Sequence, residues 1–196
     1  AVLLPGVRVV LAIEDKDGIL KEEKEWLYQD GLSDYLKSQL ADYLLDGLFW
    51  KLAKYAPAGH ESFAQGEGAE WVVAWTEEGP IVRESYVNLI HTPAGGTHES
   101  GLRDGVFNAL KSFIDHHSLL PKGVKLTADD VFSRISFVLS TKMLDPQFQG
   151  QTKEKLSSRD ALRLVTSMVR DPLELWLNEH QEAAKRIADL AIKAAQ

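Results

Sequence analysis

Apolar residues recur at every fourth position through Leu32, Leu36, Leu40 and Leu44, just after Gly31. That spacing predicts a helix from about Leu32 to Asp46, with Ser33 as its N-cap. Upstream, Val7 to Ile13 is rich in β-branched residues and ends at Asp15-Lys16-Asp17-Gly18. The Asp-Gly pair predicts a hairpin into a second strand near Trp26 to Tyr28. Residues 56–70 are rich in Gly and polar side chains and read as a loop, open to mobility. Trp71 to Thr76 and Ile81 to His91 are predicted strands, parted by the turn-forming Glu77-Glu78-Gly79-Pro80. A helical stripe follows through Leu102, Val106, Leu110, Phe113 and Ile114. Thr127, with Asp130 three residues on, predicts a capped short helix, and Ile135 to Met143 a buried strand. A polar loop from Asp145 to Ser157 leads to two helices, with the break expected at Asp171-Pro172 because Pro suits a first helical position. Leu173, Trp176, Leu177, His180, Ala184, Ile187 and Ala191 then keep a near-heptad spacing that must pack on something. Strands and helices in this order predict an α/β (α+β) sandwich, a mixed sheet with helices against one face and a long C-terminal helix.

The chain has 196 residues, 44% hydrophobic and 26% charged, which suits one globular domain with a sizeable core rather than a disordered or fibrous chain. No apolar window approaches membrane-spanning length. With no Cys, neither disulfides nor thiolate-bound metals contribute, and a reducing cytoplasm is the expected compartment. The sequence opens Ala1-Val2-Leu3-Leu4-Pro5 and reads as a fragment. A net charge of -7 argues against a dedicated basic nucleic-acid binder, so any DNA contact must be local. The basic pairs Lys122/Lys125 and Lys153/Lys155 read first as solvated faces.

No self-contained catalytic set emerges. Walker, GxSxG and HExxH motifs are absent, and adjacent His116 and His117 point apart on a helix, so no metal site is expected. Asp129-Asp130 reads as capping or solvated carboxylates. Two segments carry sharper possibilities. Gly95-Gly96-Thr97-His98 joins a strand to a helix, where it forms either a tight turn with Thr97 as N-cap or a nest of free N–H groups for an anion or a second loop. Gln151-Thr152-Lys153 is either a solvated loop or a point from which a Lys can reach a phosphate.

Five ordered stretches together resemble the transducer region of the B subunits of bacterial type II topoisomerases. They are YQDGLSDYL (Tyr28 to Leu36), ESYVNLI (Glu84 to Ile90), GGTHESGLR (Gly95 to Arg103), LLPKGVKLTADD (Leu119 to Asp130) and DPQFQGQTKEKLSSR (Asp145 to Arg159). ESYVNLI, LPKGVKL and KMLDPQFQGQTKEKLSSR resemble the topoisomerase IV branch, since gyrase B subunits tend to have Asn-Asn after the strand and Gly-Phe where this chain has Gly101-Leu102. The resemblance implies a left-handed βαβ transducer sandwich related to ribosomal-protein-like domains. It also implies a division into 1–28, the last strands of a GHKL ATP-binding domain; 29–171, the transducer; and 172–196, a C-terminal helix leading towards a magnesium-binding domain.

The family's N-box Asn and Glu base, its adenine motif, its EGDSA run and the tyrosine nucleophile of its A-type subunits have no counterpart here. The implied activity is therefore that of an ATP-hydrolysing isomerase, to which this fragment contributes without being catalytically complete. By resemblance, Gln151, Thr152 and Lys153 contact ATP, with the Lys153 ammonium on the γ-phosphate in a catalytic role, and Arg103 faces the cavity through which DNA is transported. Arg103 falls on the apolar arc of Leu102, Val106 and Leu110, an odd place for a charge unless it snorkels or meets an anion, a partner or an opening. The implied cofactors are ATP and Mg in the full-length enzyme. The implied partners are double-stranded DNA, the topoisomerase IV A subunit, and a second B subunit, with no membrane, in the bacterial cytoplasm at the nucleoid. The alternatives are a dimerisation or binding module built on the C-terminal helices, the same domain of a gyrase B subunit, or another GHKL machine.

Overall fold

A computed structural model describes all of residues 1–196. Its elements are β1 (Val9–Glu14), β2 (Leu20–Trp26), α1 (Leu32–Leu40), β3 (Phe49–Tyr55), β4 (Gly68–Trp75), β5 (Arg83–Val87) and β6 (Ile90–His91), followed by α2 (Thr97–His116) and α3 (Ala128–Phe132). The chain closes with β7 (Ile135–Lys142), β8 (Phe148–Gln149), β9 (Lys155–Leu156), α4 (Arg159–Glu179) and α5 (Gln181–Ala195).

β1 and β2 form the expected antiparallel hairpin, turned by Asp15, whose carboxylate accepts from the amides of Asp17 and Ile19 at 2.9 and 3.0 Å. The second strand starts at Leu20, well before the expected Trp26. Its LKEEKEW run carries too much charge to read as β, and pairing with β1 rather than burial makes it a strand.

Five strands form the main sheet in the order β3-β4-β7-β5-β6. β4 and β7 pair antiparallel from Gly68/Lys142 to Trp75/Ile135, while β5 runs parallel to β7, so α2 and α3 lie on the crossover between them. Because side chains alternate across a strand, Trp71, Val73 and Trp75 share one face with Ile135, Phe137 and Leu139 and build the main core with α2, α4 and α5. Val72, Ala74 and Val138 on the opposite face meet Leu32, Leu36 and Leu40 of α1. The expectation of helices on one face is thus corrected: the central strands are apolar on both faces, and each face needs a cover.

Three local expectations also change. Ser33 is not a cap; it is buried inside the first turn of α1 behind Gly31, and the helix stops at Leu40, where Ala41 takes φ 44°. β3 escapes the sequence pattern because it is an edge strand on which Trp50 alone is fully buried, so FWKLAKY shows weak alternation. Pro172 does not break the helix. α4 continues through it to Glu179, because Met168, Val169, Leu173 and Leu177 keep one buried face across the Pro, and the break falls at His180 (φ −119°, ψ 59°). The near-heptad seam packs within the chain: Leu173, Leu177, Ala184, Ile187 and Ala191 all join the main core.

α2 and α4 cross closely. A Cβ on Gly101 would lie 2.7 Å from the Leu162 carbonyl oxygen and 2.9 Å from Cβ of Val165, so only glycine permits this approach. That crossing fixes the N-terminal ends of both helices relative to one another.

Candidate functional site

The segment from Thr92 to His98 leaves the sheet and enters α2. The Thr92 hydroxyl donates to the Ser85 carbonyl at 2.9 Å and so accepts from His98 Nε2 at 3.0 Å. This leaves His98 Nδ1 without a partner in a fully buried site, and burial pushes the imidazole pKa down to about 4. His98 is therefore a neutral structural residue at physiological pH. Thr97 is not the N-cap. Gly96 occupies that position with no side-chain cap, and Thr97 is the first residue of the helix.

Of the roles open to Gly95-Gly96, the structure shows docking against a second loop. The Leu156 amide donates to the Gly95 carbonyl at 3.0 Å, the Ala94 amide donates to the Glu154 carbonyl at 3.0 Å, and Gly96 bridges Leu156 in parallel. A Cβ on Gly96 would lie 2.3 Å from the Leu156 carbonyl oxygen, and φ is 140°, so this position demands glycine twice over.

The Asp145 to Ser157 loop, expected to be irregular, is a short hairpin in which Phe148 and Gln149 of β8 pair with Leu156 and Lys155 of β9. Its base is further tied by the Ser157 amide donating to the Gln147 carbonyl at 2.8 Å and the Gln147 amide donating to the Ser158 hydroxyl at 2.7 Å. Gln151, Thr152 and Lys153 lie exposed at its tip. Lys153 adopts φ 56°, makes no ion pair and holds its ammonium 6.0 Å from the centre of the Phe148 ring. An exposed cation thus sits on a tip whose base is fastened to the start of α2.

Arg103, two turns into α2, looks into a cleft of about 470 Å³ lined also by Arg83, Thr97, Glu99, Ser100 and Lys155. It forms an ion pair with Asp129 and stacks over the Phe132 ring at 5.4 Å from its centre. Of the alternatives open for this residue, an anion, Asp129, and an opening, the cleft, are both observed. Arg83 is held by the Ile135 carbonyl, to which its Nε donates at 3.1 Å, and by the Phe132 carbonyl. Partial desolvation and then the nearby Arg103 charge push its pKa down.

Two residues that line this cleft, Arg83 and Lys155, and the Asp129 that pairs with Arg103 escape the sequence reading. Arg83 has no motif around it; Lys155 reads as part of a solvated basic pair; and Asp129 reads as a capping or solvated carboxylate. The capping role belongs to Asp130, which forms a capping box with Thr127. No group of three or more His, Asp or Glu side chains converges anywhere in the chain.

A family model described as DNA gyrase B matches residues 31–196. The chain therefore belongs to the DNA gyrase B family, the B subunits of type II topoisomerases. It is 46% identical over its whole length to the B subunit of DNA topoisomerase 4 from Pseudomonas aeruginosa, of which it spans 29%. Among solved structures it resembles a topoisomerase IV ATP-binding domain of Francisella tularensis in complex with a small-molecule inhibitor, at 34% identity and TM-score 0.72, covering 96% of this chain and 48% of that one. It also resembles the 43K ATPase domain of Thermus thermophilus gyrase B in complex with an aminocoumarin, at 25% identity and TM-score 0.78, covering 100% of this chain and 50% of that one. The chain thus spans less than a third of the curated relative and about half of these solved chains. No helix is long and apolar enough to cross a membrane.

Proposed function

We propose that this chain is the transducer segment of a topoisomerase IV B subunit, built as a left-handed βαβ sandwich, which couples the nucleotide state of a neighbouring ATP-binding domain to domain rotation and DNA transport. The observation that carries this reading is Lys153: an unpaired, exposed ammonium at the tip of a hairpin whose base is bonded to the turn that starts α2. In this reading residues 1–28 complete the ATP-binding domain, 29–171 are the transducer, and 172–196 lead towards the magnesium-binding domain.

The side chains at the hairpin tip fit one end of ATP. Gln151, Thr152 and Lys153 can hydrogen-bond phosphate oxygens, and the ammonium makes a charge-assisted contact. ATP supplies a terminal phosphate that is present before hydrolysis and gone after it. Lys153 therefore stabilises one domain arrangement before hydrolysis and not after, and a two-state rotation responds to that difference in affinity. The rigid link from Leu156 to Gly95 and Gly96 carries the change at the tip to α2 and Arg103. The acidic side chains of this chain do not fit Mg, since no three of them converge, so no step is assigned to it here.

The chain alone neither binds nor hydrolyses ATP appreciably in this account. The full enzyme carries out ATP-dependent strand passage on duplex DNA together with its A-type partner and a second copy of the B-type chain, in the bacterial cytoplasm. We favour this reading over a dimerisation module because Leu173, Leu177, Ala184, Ile187 and Ala191 of the C-terminal seam pack into the chain's own core. The test is amide exchange on the full-length protein with and without a non-hydrolysable ATP analogue. Exchange at 150–154 slows on binding if the tip meets the nucleotide; unchanged exchange there, with protection elsewhere, contradicts it.

A further inference from the structure

We propose that Asp129 is an internal stand-in for phosphate: it occupies Arg103 in the free protein, and a phosphate group of duplex DNA takes its place, held also by Arg83 and Lys155. This rests on the reading of Arg103 as a residue of the DNA-transport cavity, and adds the other cations of the site and the group that competes with DNA for it.

The cleft is basic in a chain of net charge -7. Three cations line it against one carboxylate, and that carboxylate is engaged: Glu99 accepts from the Ser85 hydroxyl at 2.6 Å. Arg83 is pinned by the two backbone carbonyls, so it cannot swing away from Arg103. Desolvation, and after it the Arg103 charge, disfavour the charged form of Arg83, and the nearby Glu99 carboxylate only partly offsets them. Thr97 also lines the cleft, with its hydroxyl buried behind the cleft wall. Two guanidinium groups and an ammonium are what a phosphate oxyanion uses.

Asp129 is suited to leave. Its side chain is 88% exposed and that of Arg103 36%, so their ion pair is one that water and salt weaken. Release of Asp129 desolvates nothing, and α3 keeps its cap because the adjacent Asp130, not Asp129, closes the capping box. Arg103 stays stacked on Phe132 and so keeps its aim into the cleft when its partner changes.

The test is fluorescence anisotropy of a labelled duplex with the 196-residue chain at low salt, using Asp129→Asn, Arg103→Gln, the double variant and Lys155→Gln. Asp129→Asn is expected to tighten duplex binding about two- to five-fold, the range of an exposed ion pair. That gain disappears in the Arg103→Gln background, which separates a specific competitor from a general change of charge. Lys155→Gln weakens binding and lowers the slope of log affinity against log salt by about one phosphate contact.

If Arg103→Gln binds the duplex as tightly as the parent chain, the Arg103 reading itself fails. If Arg103→Gln weakens binding but Asp129→Asn changes nothing, or its gain survives without Arg103, the role of Asp129 is overturned while that reading stands. A parallel titration with inorganic phosphate, following the Arg103 Nε–H resonance, distinguishes the source of the anion. A response to phosphate with duplex affinity indifferent to all the substitutions would make this a free-phosphate site and overturn the assignment to DNA.

Discussion

Gly96 lies against the backbone of Leu156, so close that a single added Cβ would come within 2.3 Å of the Leu156 carbonyl oxygen. Through this contact the hairpin that carries Lys153 and the helix that carries Arg103 share one backbone junction. The proposed nucleotide contact and the proposed DNA contact are therefore joined by hydrogen-bonded main chain rather than by flexible loop.

Gly96→Ala must strain φ and push the hairpin away. We expect a loss of about 2 kcal/mol or more in stability, together with new protease cleavage within 146–157. Urea denaturation and limited proteolysis would check this. An alanine variant with parental stability and an uncut hairpin would show that the junction is looser than its geometry.

His98 gives a pH dependence whose sign is determined. Its folded-state pKa of about 4 lies below the ordinary value near 6.5, so the unfolded chain takes up a proton more readily. Its stabilising contribution is complete above about pH 6.5 and is lost as pH falls towards 4, by about 3 kcal/mol in total. His98→Gln should flatten the dependence of unfolding free energy on pH in that window. An identical slope in the variant would mean that acid sensitivity arises elsewhere.

Much of the architecture is readable from local pattern. The stripe from Leu102 to Ile114 appears as the buried face of α2, and Thr127 with Asp130 as the capping box of α3, because both signals are contained within a few residues. What is not legible depends on partners distant in sequence. β3 is a strand because β4 pairs with it, and Leu20 to Glu25 because β1 does. Pro172 is tolerated because packing on both sides outweighs one lost hydrogen bond. The site divides in the same way: Gln151 to Lys153 and Arg103 come from motifs, whereas Arg83 and Asp129 reach the cleft only through tertiary contacts, Asp129 across 26 residues.

Pro172 itself is a test of that balance. Its ring removes an amide donor from the middle of α4, leaving the Met168 carbonyl without its helical partner. Pro172→Ala is expected to stabilise the chain by about 1 kcal/mol, the restored helix outweighing the greater freedom of the unfolded state. A lower denaturation midpoint would show instead that the proline's packing against its neighbours matters more than the helix it interrupts.

The central claim is that Lys153 acts on the terminal phosphate as charge develops there, while most nucleotide contacts lie in the neighbouring domain. The direct measurement is made on full-length Lys153→Ala, comparing its affinity for a non-hydrolysable ATP analogue with its rate of ATP turnover. The account predicts that turnover falls about 100-fold or more while affinity changes only a few-fold, since an interaction realised in the transition state affects rate more than ground-state binding. Equal losses in both would reduce Lys153 to an ordinary binding contact, and undiminished turnover would contradict the account outright.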